Sequence, residues 1–163
     1  MAAPLLSDAF RIDSFTTPNA RAVGLASAVM ERAFDPAYGE AWTNAQLDSF
    51  LSLPGVTLSL ARIDEACLGF SLTRQVLDEA ELLLIATDPS WRGRGVGSRL
   101  LEQLLADARW GRISTIHLEV RDNNPAIDFY FRHGFEQVHR RPSYYKGTDG
   151  TCYDALTLHR LLP

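Results

Sequence analysis

Residues 81–105 read ELLLIATDPSWRGRGVGSRLLEQLL, and the succession of patterns along this stretch decides the fold. ELLLIAT (81–87) is a nearly continuous apolar run, the signature of a strand covered on both faces. Asp88-Pro89 turns the chain, Arg92-Gly93-Arg94-Gly95-Val96-Gly97 follows, and Val96, Leu100, Leu101, Leu104, Leu105 and Ala108 then recur at helical spacing to about Arg109. A buried strand, a glycine-rich turn and an amphipathic helix in that order point to an anion-binding loop, set against the plainer reading that the glycines serve only a tight turn. Glycine lets the backbone approach a ligand without a Cβ clash. The first-turn amides of a helix have no intrahelical partners and lie at the positive end of its dipole, where a phosphate or diphosphate fits.

Three loop patterns compete for residues 92–98. A Walker loop, G-x-x-x-x-G-K-[ST], needs a lysine that is absent here. A dinucleotide fingerprint, G-x-G-x-x-G, is met by Gly93 and Gly95 but finds Ser98 at its third glycine, although Glu119 sits where a ribose-binding acid would. That fold also needs more parallel strands than the chain supplies after residue 91. R-x-x-G-x-G is satisfied by Arg92, Gly95 and Gly97.

Outward from this core, the hydrophobic period changes several times. AFRIDSF (9–15) alternates as a strand does, and apolar residues from Ala22 to Phe34 repeat at helical spacing. Residues 35–41 read as a loop, after which Thr43 and Gln46 have capping-box spacing for a short helix ending before Pro54. VTLSLARI (56–63) and ACLGFSLTRQVL (66–77) read as paired strands, and STIHLEV (114–120) alternates again. Asn124 and Pro125 open a helix that Gly134 closes, with Ile127 and Phe131 as core positions. FEQVHR (135–140) and CYDALTLHR (152–160) complete the strands, joined by a long loop carrying Tyr144 and Tyr145. The order is β-α-α-β-β-β-α-β-α-β-β, an α/β or α+β mixed sheet with helices packed against it.

The 163 residues predict one domain, long enough to bury roughly 70% of the unfolded surface. A net charge of −4 and the lack of a long basic run argue against nucleic acid. No apolar run approaches the ~20 residues that span a bilayer, and MAAPLLSDAF (1–10) has no export signal, so the expectation is a cytoplasmic protein. Cys67 and Cys152 fit no metal-ligand spacing and are expected to be reduced and buried; no metal is expected.

The 92–97 segment, between a long strand and its following helix, resembles the acetyl-CoA-binding motif [QR]-x-x-G-x-[GA] of the GNAT N-acetyltransferases. More narrowly, DEAELLLIATDP (78–89), LEVRDNN (118–124), AIDFYFRHGF (126–135), RRPSYY (140–145) and DGTCYDALTL (149–158) resemble the RimI-type enzymes, which acetylate the N-terminal alanine of a ribosomal protein. FDPAYGEAWTNAQL (34–47) carries the resemblance in the first half. It implies a single domain with about seven mostly antiparallel strands and about four helices, acetyl-CoA as co-substrate, and a monomer or weak homodimer.

The resemblance also implies roles. Arg92, Gly93, Arg94, Gly95, Val96 and Gly97 would hold the diphosphate, and the strand backbone across Ile85, Ala86 and Thr87 would pair with pantetheine amides. Asn123 or Asn124 would contact the cofactor, since one residue fewer than usual separates Arg121 from this element. Glu119 matches the amine-deprotonating glutamate; its residue-level alternative is a salt bridge to a neighbour such as Arg121, and Glu79 and Glu81 are alternative bases. Tyr130, in NNPAIDFY (123–130), matches the general acid, against a reading as a core aromatic. Tyr144 and Tyr145 would line the peptide groove or cover the core, Asp154 would contact substrate or pair at a strand end, and Trp42 with the Tyr38 loop would form the other wall. His133, before Gly134, reads as favouring the helix C-terminus.

Physical chemistry favours an α-amine acceptor. An α-amine titrates near 7.7–8.0 and lysine near 10.4, so neutralising lysine at neutral pH is about 3.4 kcal/mol harder. A carboxylate base with a modest shift suits the N-terminus. The alternatives are acetylation of a small-molecule amine or of lysine, and a non-catalytic acyl-CoA-binding sensor.

Overall fold

Local signals fix the helix starts in the computed structural model, which describes residue 6 and residues 9–163. Asn19 accepts from the Ala22 amide to cap α1 (Ala20–Ala33), and Thr43 with Gln46 forms the expected reciprocal box at α2 (Asn44–Leu51). Most of the segment read as lacking an export signal (1–10) lies outside the described residues. The remaining elements are β1 (Phe10–Phe15), β2 (Val56–Ile63), β3 (Ala66–Val76), β4 (Glu79–Thr87), α3 (Val96–Trp110), β5 (Thr115–Arg121), α4 (Ala126–Arg132), β6 (Glu136–Lys146) and β7 (Cys152–Leu161). The strands form one sheet in the order β1-β2-β3-β4-β5-β7-β6, and every pairing is antiparallel except β4 with β5. Among the described residues no helix is long and apolar enough to cross a membrane.

α1 and α2 cover one face, packing Val29, Met30, Leu47 and Leu51 on Leu58, Leu60, Phe70 and Leu72. α3 and α4 cover the other, where Leu101, Leu104 and Tyr130 meet Ile116, Leu118, Leu156 and Leu158. β4 serves both faces and carries a bulge. Leu72 is opposite Leu84 and Thr73 opposite Leu82, so Leu83 has no partner in β3. Ala80 and Leu82 consequently face the α3 side, whereas Leu84 and Ala86 face the α1 side.

Four expectations are corrected. β6 does not end near residue 140; it runs to Lys146 and carries Tyr144 and Tyr145 as strand residues. It bonds only to β7 and is exposed along almost its whole length, so it lacks the alternation that reveals a strand. Pro142 and Ser143, which suggested a loop, belong to a register shift between Arg141 and Tyr145, with Ser143 at φ 51°. Cys152 is exposed at the start of β7, although both cysteines are free. Phe131 is exposed because the inward face of α4 is taken by Ala126, Ile127, Phe129 and Tyr130. Finally, α4 starts one residue after Pro125, but Asn124 Oδ1 still accepts from the Ala126 amide at 2.9 Å.

Candidate active site

β4 and β5 pair only over Glu79–Glu81 and Thr115–His117, then part. On its other edge β4 stays bonded to β3, and the Asp88 amide donates to Leu68 O at 2.8 Å. The two-residue alternation of an antiparallel ladder therefore aims Ala86 at Phe70 and turns the N–H and C=O of Ile85 and Thr87 away from β3. The result is a cleft whose β4 wall is a free strand edge at Ile85 and Thr87, while Ala86 offers a buried methyl.

That edge runs into the glycine-rich turn. Asp88 Oδ1 accepts from the amide and hydroxyl of Ser90, and Oδ2 accepts from Arg32 at 2.7 Å. These bonds, the Ser90 pair first, hold the Asp88 carboxyl below its ordinary range. Gly93 and Gly95 adopt φ of 75° and 85°, a region costly for residues with Cβ, and open space surrounds both. Gly95 caps α3 without any side-chain hydrogen bond, so its first-turn amides are not capped by the protein's own side chains. The two cations flanking this turn lean elsewhere: Arg92 donates to Ala33 O at 3.1 Å, and Arg94 lies 4.8 Å from the Trp91 ring centroid. A Cβ on Gly97 would lie 3.4 Å from the Phe129 ring and 3.6 Å from Thr87 Oγ1. The start of α3, the end of β4 and α4 thus meet at this point.

On β5, Ile116, Leu118 and Val120 are buried towards α3 and α4, which leaves Glu119 and Arg121 on the opposite face. The ion pair of Glu119 is not with Arg121. Arg141 Nη2 lies 3.3 Å from Glu119 Oε1, and both side chains reach solvent, at 51% and 23% exposure. Arg121 is buried and turned to Glu40, with Nε 3.1 Å from Oε1. Tyr130 is buried between Phe129 and Phe135, and burial followed by the neighbouring Tyr145 pushes its phenol well above the ordinary value. The Tyr145 phenol is pushed up to about 12, by burial first and then by Glu40 and Glu119. Two carboxylates and two neutral phenols therefore share one neighbourhood.

The other expected site residues divide. Asn123 accepts from Arg121, and its Nδ2 donates to Tyr38 Oη at 3.5 Å, which places it beside the Tyr38 loop; Asn124 is occupied by the helix cap. Tyr144 is exposed, edge-on to Tyr145 at 5.2 Å. Asp154 accepts from Arg140 at 2.8 Å and from the Ser143 amide at 2.9 Å, so it braces the β6 bulge. Trp42 packs against Phe50 with the rings tilted and their centroids 4.7 Å apart, beside the α1–α2 core. His133 Nδ1 lies 2.8 Å from Phe129 O, at the helix end as expected. Glu40, Arg121, Arg141 and Tyr153 went unmarked as site residues in the sequence. Arg141 lies in the RRPSYY segment, but nothing in the spacing links it to Glu119.

The tyrosine shift has a measurable result. Because its folded value lies above the unfolded one, near 10, Tyr145 contributes stability that is complete below pH 10 and lost as pH rises through about 12. The urea midpoint is expected to fall over this window. Tyr145→Phe is expected to reduce that fall without removing it, since Tyr130 acts in the same direction.

Residues 28–135 match the acetyltransferase (GNAT) family. The [ribosomal protein bS18]-alanine N-acetyltransferase of Escherichia coli (strain K12) is 42% identical over 83 residues, covering 50% of this chain and 56% of that protein. The match thus spans little more than half of that relative's length. The crystal structure of the ribosomal-protein-S18-alanine N-acetyltransferase from Escherichia coli superposes with a TM-score of 0.81 at 29% identity, over 93% of each chain. Ard1 from Thermoplasma volcanium superposes with a TM-score of 0.77 at 28% identity, over 95% of this chain and 99% of its own. The parted strands, the uncapped glycine turn and the matched segment coincide on one stretch of sequence, and the chain belongs to the acetyltransferase (GNAT) family.

Proposed function

We propose that the protein transfers an acetyl group from acetyl-CoA to the α-amine of a protein N-terminus, with alanine on a ribosomal protein as the acceptor. The observation that carries this reading is the cleft itself: the free backbone edge at Ile85 and Thr87 runs into an uncapped helix start, with open space at Gly93 and Gly95. Main-chain donors at Val96 and Gly97 would hold a diphosphate, and the β4 edge would receive an amide-bearing arm as an added strand. Acetyl-CoA supplies the thioester. Glu119 is the base for the incoming ammonium, reached from the α1–α2 face of the sheet, and the half-exposed Arg141 is its resting counter-ion.

The role of Tyr130 is narrower than that of a full acid. A thiol titrates near 8.5, below even an ordinary phenol near 10, so proton transfer from a phenol raised further is uphill. Tyr130 instead donates a hydrogen bond to the sulfur as it gains charge, remaining protonated throughout.

The test uses purified protein, acetyl-CoA, an alanine-initiated peptide, a lysine peptide with a blocked N-terminus, and a polyamine. Mass spectrometry is expected to place acetyl on the alanine α-amine, with kcat/KM highest for that peptide. Faster turnover of the lysine peptide or polyamine overturns the acceptor assignment. CoA binding without turnover of any acceptor overturns the enzymatic reading in favour of a sensor.

A further inference from the structure

Arg121 is the most buried charged side chain among the described residues, and proton transfer at Glu119 does not use it. Its Cζ lies 3.3 Å from the Tyr38 ring centroid while Nε donates to Glu40 and Nη1 donates to Asn123. The Tyr38 ring also meets Tyr153 edge-on at 5.5 Å. From the far side, the Thr148 amide donates to Ala37 O at 2.8 Å. The Pro36–Tyr38 turn buries none of its own residues; Asp35 caps it locally, and the contacts above tie it to the rest of the fold. Arg121 lies two residues beyond Glu119 on the same face of β5, and its partner in β7, Ala155, pairs on with Arg141.

We propose that Arg121 is a positioning residue for the acceptor: it latches the segment carrying Tyr38 and Glu40 to the end of β5, where that segment forms a fixed wall beside Glu119. A buried ion pair is weak ground for stability, because desolvation offsets most of the attraction. Its effect here is geometric. One side chain must offer a flat face to an aromatic ring and two differently aimed N–H donors, which guanidinium does and an ammonium does not. The latch joins residues about eighty positions apart in sequence, so while Asp35 shapes the turn locally, the turn's attachment to the end of β5 runs through Arg121. This proposal rests on the acetyltransferase reading above.

The experiment compares wild type with Arg121→Lys and with Tyr38→Leu, which loosens the latch from the exposed side and leaves the β5 pair intact. Both are expected to raise the KM for an alanine-initiated peptide by about tenfold or more, the scale of an ångström-level misplacement, while KM for acetyl-CoA stays within twofold. Amides of residues 37–40 are expected to exchange hydrogen faster in both variants. A purely structural role would instead lower kcat and cofactor affinity together. Unchanged peptide KM in both variants, or parallel rises for both substrates, overturns the proposal. If the wild type acetylates no alanine peptide, the acceptor reading fails by itself; exchange at residues 37–40 then decides the latch, and no acceleration in either variant overturns it.

Discussion

Glu119→Gln is expected to lower kcat for an alanine-initiated peptide by roughly 10²- to 10⁴-fold, the contribution of a well-placed general base. Glutamine keeps the shape of the side chain and its place on β5 but cannot accept the ammonium proton. Arg141 loses its counter-ion, yet it is half-exposed and returns to water at little cost, so folding is unaffected. Affinity for CoA, measured by titration calorimetry, is expected to be unchanged, because the proposed cofactor cradle is on β4 and α3. A loss smaller than about tenfold would take Glu119 out of the base role and leave Glu81, which faces His117 where β4 and β5 still pair. The same profile separates chemistry from binding: a rise in peptide KM alone would make Glu119 a docking anion.

Gly69→Val is expected to be the most damaging single change near the cofactor loop. Even a bare Cβ at Gly69 would stand 2.7 Å from Ala86 O and 2.9 Å from Val96 Cγ1. The first neighbour is backbone and cannot rotate away; the second is the first residue of α3. Overpacking of this kind costs about 1–3 kcal/mol, and the two further methyls of valine place it at the upper end. For a chain of this length, a melting temperature lower by roughly 5–12 °C follows. The strain is relieved by moving the start of α3 off β3, which displaces the first-turn amides, so acetyl-CoA affinity is expected to fall as well. A variant that melts early but binds CoA normally would show that the helix start does not shift with Val96.

Much of this architecture was readable from local pattern. The capping box at Thr43, the apolar stripe of α3 and the run of β4 each depend on residues within a turn or two, and each lies where the sequence puts it. The glycine turn was legible for the same reason, because positive φ and missing side-chain caps are properties of the residues themselves. β6 was only half legible. An edge strand wet on both faces has no periodicity to display, and Pro142 reads as a break although an edge tolerates it. The surroundings of Glu119 were not legible, because their contacts join distant segments: Glu40 to Arg121, Ala37 to Thr148, Glu119 to Arg141. Nothing in the spacing of Arg121 distinguishes a partner two residues away on its own strand from one across the fold. Burial then decided the matter, since the guanidinium is enclosed and Glu119 remains wet.

The unpaired Leu83 in β4 has one more consequence. Without it, Leu82 and Leu84 would still match Thr73 and Leu72, and each apolar side chain would still point to the helix it now touches. Sidedness therefore does not require the surplus residue; its contribution is curvature, applied just beyond the last rung shared with β5. A shorter, straighter strand would make a more regular sheet and would tend to zip shut along β5. In this fold, the opening offered to a guest begins beside a dislocation in the lattice of main-chain bonds.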